Sequence, residues 1–273
     1  MSDIVLTAGV RSNLLQLQKT ADLITDTQTK LATGKRVNSA LDNPINFFTA
    51  QGLSNRASDL SNLLDSMSSG MSTIQAANNG ITSITKLVQS AQALVSQAQQ
   101  TTDPTVRSGL ATQFGSILGQ ITQLAGDAGF NGINLLSSGT SANLVVTLNE
   151  SGSSSVTVNA VDFTATGLGL NNANNNWGST ADIALASTDL TNALTKLRAQ
   201  AQSFGSNLST VQIRQDFTKA MINTLQTGAD GLTLADSNEE GANLLALQTR
   251  QQLSTTALSL ASLASQAVLR LFQ

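Results

Sequence analysis

The residues in this sequence best placed to do chemistry fall in three short stretches, and none completes a reactive constellation. Thr33-Gly34-Lys35-Arg36 has the glycine and lysine of a phosphate-binding loop, but the required upstream glycine is absent and Arg36 stands where a Ser or Thr would hold magnesium. Gly167-Leu168-Gly169 lacks the third glycine of a dinucleotide fingerprint and has no helical pattern directly after it. Asn149-Glu150-Ser151 matters only in a host that glycosylates such sites. The chain holds no histidine and no cysteine, which removes an imidazole base, thiolate chemistry and disulfides. Ser, Lys and carboxylates remain as types for hydrolysis, and nothing clusters them. The sequence therefore assigns no catalytic, cofactor-binding or metal-binding residue, and no enzyme activity or cofactor is expected.

Composition turns the question from chemistry to packing. Charged residues are 11% of the chain and aromatics 3%, against a charged share of about 25% in ordinary domains. The surface must be built from Ser, Thr, Asn and Gln, which lets copies of the chain approach without strong like-charge repulsion. A net charge of -3 with scattered Lys and Arg gives no basic stripe, so nucleic acid is not an expected partner. No apolar run is long enough to cross a membrane. The start, MSDIVLTAGVRSN, has an acidic residue where a secretory signal would be basic and too little apolar length, so a cleaved signal is not expected. Zero cysteine fits the cytoplasm or an export route that avoids disulfide chemistry.

The elements that position these residues are long helices. From Glu239 to Gln273 the chain has no proline, and Ala246, Leu253, Ala257, Leu260, Ala264, Ala267 and Leu271 recur at intervals of three and four as a seam for a partner helix. A second stripe, Leu247, Leu258, Ala261, Val268 and Phe272, widens the apolar surface beyond what one partner covers. At the other end Val10, Leu14, Leu17, Ala21, Ile24 and Leu31 give a narrow seam, interrupted at Gln28. The two ends are expected to pair. An apolar strip should remain over, and such strips mark interaction surfaces.

Between the ends, Gly34 stops the first helix and Asp42-Asn43-Pro44 forms a turn or helix start. A pattern from Leu53 through Ile74 and Leu87 to Ala98 is one very long helix. Asp103-Pro104 caps the next, whose stripe is Leu110, Phe114, Ile117, Ile121, Leu124 and Ala128, antiparallel to its predecessor. Asn143 to Leu148 and Ser154 to Val161 suggest a β-hairpin, and NNANNNWG from Asn171 a loop. Helix resumes at Asp182 and runs to about Gln226, with a break expected at Gly228 to Gly231. The fold class is mainly α: a long antiparallel helical bundle or coiled coil with paired N- and C-terminal helices and a small central β-hairpin region.

LATGKRVNSALDNP (Leu31 to Pro44), FNGINLL (Phe130 to Leu136) and NEEGANLLALQTRQQLSTTALSLA together resemble bacterial flagellin, the subunit of the flagellar filament, in a short form with little or no outer variable domain. The resemblance implies two layers: residues 1–42 with 230–273 as a discontinuous inner core of paired terminal helices, and 43–229 as an outer rod-like bundle with the hairpin at about 140–165. It also implies a homopolymer exported unfolded through the flagellar type III apparatus to the cell exterior. Hook-associated proteins, a cap and an export chaperone would be its further partners. The assembly interface is then expected at Val10, Leu14, Leu17, Ala21, Ile24, Leu31, Leu253, Ala257, Leu260, Ala264, Val268, Leu271 and Phe272. Two other readings share the amphipathic ends. A hook–filament junction protein would carry a different insert, and a membrane-active secreted translocator would be richer in Lys and Arg on its polar faces.

Overall fold

A computed structural model describes residues 8–137 and 143–271. Its elements, in chain order, are α1 (Ala8–Thr33), α2 (Pro44–Gln100), α3 (Pro104–Asp127), β1 (Gly129–Phe130), β2 (Ile133–Asn134), β3 (Leu144–Thr147), β4 (Ser155–Val158), α4 (Ala165–Leu168), α5 (Thr180–Thr233) and α6 (Ser237–Leu271). The chain divides into two compact units, residues 1–55 with 224–273 and residues 56–223. Both divisions fall inside helices, within α2 and within α5.

In the first unit, α1 stops where the sequence places the stop, with Gly34 at φ +67, a left-handed conformation that a Cβ would strain. The chain then makes a short antiparallel bridge between Lys35 and Leu234. Ala235 donates to the Gly34 carbonyl at 3.0 Å, Arg36 N–H to Thr233 at 2.8 Å, and the Arg36 guanidinium to Gly231 at 2.8 Å. The role of the basic residue in this motif is thus to satisfy carbonyls at the end of α5. The expected break at Gly228 to Gly231 does not occur: α5 continues to Thr233, because Leu225 and Ala229 bury their side chains around it. Packing of that face outweighs the glycine cost of about 1 kcal/mol each.

The turn from α1 to α2 is held by one carboxylate. Asp42 accepts the backbone N–H groups of Asn38 and Ser39 at 2.9 and 2.8 Å, and Asn43 caps α2 by accepting from Asn46 N–H at 3.0 Å. The Ser39 hydrogen bond, then that of Asn38, holds the Asp42 carboxyl below its ordinary 3.8. A lowered folded pKa stabilises the turn at all pH above 3.8 and loses that contribution as pH falls through the folded value. The Ser39 amide resonance should therefore shift on acidification with a midpoint below 3.8. A midpoint at or above 3.8 would contradict this geometry.

The second unit is built on strict sevens. Leu60, Met67, Ile74, Ile81, Val88 and Val95 of α2 are all buried, as are Ile183, Leu190, Leu197, Phe204, Val211 and Thr218 of α5. A seven-residue repeat keeps one seam facing its neighbour over the whole helix. α3 adds Leu110, Phe114, Leu118, Ile121 and Ala125, and Asp103 caps it by accepting from Thr105 N–H at 2.8 Å with Pro104 in the first turn. α2 and α3 run antiparallel, for a Cβ built on Gly80 would come 2.7 Å from the Cβ of Ala128 and 2.6 Å from Leu136.

Two antiparallel hairpins close this unit. The expected one pairs β3 with β4 from Leu144↔Val158 to Thr147↔Ser155, alternating Leu144 and Val146 inward with Val145 outward. Gly70 of α2 leaves the space that Val146 fills. The other hairpin, β1 with β2, turns on Asn131 and Gly132, both at positive φ, the residues that a two-residue turn of this hand requires. Asn134 then reaches back, donating to the carbonyls of Ala125 and Gly126 at 2.8 Å each and accepting from Leu136 N–H at 2.8 Å. Within NNANNNWG the chain takes one left-handed turn, and Trp177 is wholly buried with its ring 5.1 Å from that of Phe114. The loop is anchored at its end.

Candidate assembly surface

The terminal helices pack against one another within the first unit. They are antiparallel, since Lys30 near the end of α1 pairs with Glu240 near the start of α6 at 3.5 Å, and Leu23 and Thr27 share a recess with Leu247 and Arg250. On α1 the facing positions are Val10, Leu17, Ile24 and Leu31, alternating with Asn13, Thr20 and Thr27. Thr20 and Thr27 are the most deeply buried side chains of this helix. Leu14 lies outside the seam at 39% exposure, Ala21 borders it half-buried, and Gln28 is exposed. A search for apolar residues alone therefore misses three of the seven α1 contact positions. The threonine methyls pack there while their hydroxyls can turn back to the helix, as Thr20 does to the Gln16 carbonyl at 2.9 Å.

On α6 the two stripes exchange roles. The face turned to α1 is Leu244, Leu247, Gln251, Ser254, Leu258 and Ala261, which contains three members of the stripe expected to be left over. The stripe expected to form the seam points outward. Leu253 is 67% exposed and Leu260 63%, with Ala257 and Ala264 exposed beside them. Leu245 and Leu263 extend the same apolar surface. The side chains of Val268 and Leu271, and Phe272 altogether, lie outside the described residues. Leu244, Leu247, Gln251, Ser254, Leu258 and Ala261 keep a three-and-four alternation, but so do Ala246, Arg250, Leu253, Ala257, Leu260 and Ala264, so spacing alone does not choose the face.

The outward stripe is thus an apolar surface left exposed among the described residues. It carries no titratable cluster, and among the described residues no group of His, Cys, Asp and Glu could hold a metal ion. What it can do is pack. Each leucine removed from water contributes about 1.5–3 kcal/mol, and a helix that already spends one face on α1 has room for neighbours on the other.

Known proteins resemble this chain along its whole length. Residues 7–141 match the bacterial flagellin N-terminal helical region and residues 188–272 the bacterial flagellin C-terminal helical region. Flagellin FljO of Caulobacter vibrioides is 31% identical over the whole of this chain and 99% of its own length, and flagellin FljN of the same organism is 32% identical over the same shares. A flagellin of Brucella melitensis is 27% identical over the full length of both. The crystal structure of Bacillus cereus flagellin superposes on 55% of this chain and 86% of its own at 22% identity, with a TM-score of 0.49. With both terminal regions matched and full-length relatives above 30% identity, the chain belongs to the bacterial flagellin family, the structural subunits of the flagellar filament.

Proposed function

We propose that copies of this subunit pack in the filament through the outward stripe of α6, Leu253, Ala257, Leu260 and Ala264, continued in spacing by Leu271, with exposed Leu14 of α1 beside it, while Val10, Leu17, Ala21, Ile24 and Leu31 hold α1 against α6 within each copy and Val268 and Phe272 follow the spacing of the inward stripe. The observation that supports this is the exchange of stripes: α6 meets α1 with its partly polar face and keeps its leucine-rich face in solvent. In this reading residues 1–42 and 230–273 form the inner layer of the filament and 43–229 the outer bundle. The subunit acts outside the cell as a structural element without catalysis. Its export uses a dedicated chaperone, and hook-associated and cap proteins bound the polymer. Among the described residues no helix is long and apolar enough to cross a membrane.

The test exploits a chain without native cysteine. A Leu253→Cys variant should react readily with a maleimide as monomer and become protected in seeded filaments. Equal labelling in the two states would overturn the proposed interface.

A further inference from the structure

The same tripeptide occurs twice in the second unit, as Asn79-Gly80-Ile81 and as Asn131-Gly132-Ile133. In an Asn-Gly pair the backbone can react with its own side chain. The amide nitrogen after the asparagine closes a five-membered ring on the side-chain carbonyl carbon, and glycine places no Cβ in the way. Both asparagines are exposed, so neither access to water nor the neighbouring residue in sequence separates the two pairs. Their backbones do.

Asn79-Gly80 lies inside α2. The Gly80 N–H is committed to the carbonyl of Ala76, four residues back in the helix ladder. Gly80 is also buried, and a Cβ there would come within 2.6 Å of Leu136 and 2.7 Å of Ala128. Turning this peptide toward its side chain requires opening α2 where it packs on the rest of the unit. Asn131-Gly132 is instead the turn between β1 and β2, with φ of 49 and 79. Gly132 is exposed, and a Cβ there would meet nothing within 4 Å. The turn is closed by two residue pairs alone, Phe130↔Ile133 and Gly129↔Asn134, and a two-stranded ribbon is marginal by itself.

We propose that Asn131 is a site of spontaneous modification: it closes on the Gly132 amide to a succinimide, which opens to isoaspartyl and aspartyl residues, while Asn79 keeps its amide. The Gly132 nitrogen gives up its proton and bonds to Cγ of Asn131. The Cγ–Nδ2 bond breaks, and ammonia leaves with that proton. Water then adds to one of the two ring carbonyls. Opening at Cγ restores the ordinary main chain with an aspartate. Opening at the Asn131 main-chain carbonyl leaves the chain running through Cγ, one methylene longer, with the carboxylate on Cα. Either product sets a negative charge just beyond the carbonyl end of α3, where it is unfavourable. The isoaspartyl form also displaces the segment by which Asn134, three residues on, reaches the Ala125 and Gly126 carbonyls. The loss of ammonia is one-way, so each copy of the chain accumulates the change with age.

Peptide mass measurement on full-length monomer, held warm at mildly alkaline pH and sampled over days, tests this. Residue 131 should lose its amide at least about tenfold faster than residue 79, because a difference of about 1.4 kcal/mol in reaching the reactive conformation suffices for that ratio. Its product should separate into two isomers of one mass. An unchanged Asn131 would overturn the proposal by denying the reaction, and a single aspartyl product would do so by denying the ring. In denaturant the two sites should react at similar rates, whereas a gap that persists there would overturn the assignment of the difference to the turn. Gly132→Asn supplies the last measurement, since asparagine also tolerates positive φ. It should slow the reaction at residue 131 at least about tenfold by crowding the attacking amide, with the melting curve as folding control. An unchanged rate in that folded variant would exclude the residue 132 nitrogen as the attacking atom.

Discussion

Leu260→Asp stops seeded filament growth and leaves the melting curve of the monomer unchanged. In the single chain Leu260 is 63% exposed and points away from α1, so a carboxylate there keeps its hydration and disturbs no contact. In the proposed contact between copies the same position meets a neighbouring subunit, and an ionised carboxylate facing a dry helix surface costs several kcal/mol. Loss of about 3 kcal/mol per subunit contact raises the concentration needed for growth roughly a hundredfold, beyond what a sedimentation assay reaches. Normal polymer in the pellet at wild-type concentrations would mean that the outward leucines are not the surface that joins copies.

Asn134→Ala has its large effect on the folded unit instead. The Asn134 side chain satisfies two carbonyls in the last turn of α3 and one backbone N–H of its own segment, all in a site where Asn134 is 9% exposed. Removing it leaves buried backbone groups without partners at about 1–3 kcal/mol each. Water reaches some of them, so the loss in urea unfolding should be about 2–4 kcal/mol, with the slope unchanged. Asn134→Asp should be no better: it keeps the acceptor for Leu136 but sets a negative charge against the carbonyl end of α3. A loss under about 1 kcal/mol for the alanine variant would assign α3's end to some other cap.

Periodicity carried most of the fold because the second unit repeats it without error. Leu190, Leu197, Phe204 and Val211 can be read as one seam from the sequence, whereas Ile183, which the structure adds to it, precedes that stripe. Caps were equally legible at Asp103-Pro104 and Gly34, where a single residue type answers a single steric or hydrogen-bonding demand. The β1–β2 hairpin was not recognised, although Asn131-Gly132 is the strongest two-residue turn signal, because its strands are two residues each and too short to show alternation. Gly228 and Gly231 misled in the opposite direction, their intrinsic cost being overridden by tertiary burial of Leu225 and Ala229. At the candidate surface the relevant residue types were visible but not their direction. Leu253 and Leu247 have the same hydropathy, and only a partner's position decides which of them faces it. Thr20, Thr27, Gln251 and Ser254 were invisible to an apolar search, yet they occupy the slots that fix how α1 and α6 meet.

Trp177, held against Phe114 in the second unit, is the chain's single tryptophan, and there is no tyrosine. Intrinsic emission excited at the indole band therefore comes from one place. It follows unfolding of residues 56–223 and is blind to α1 and α6, whereas far-ultraviolet ellipticity sums over every helix. Run side by side on one sample, the two signals separate the melting of the bundle from the ordering of the terminal pair, without a label and without a cut in the chain.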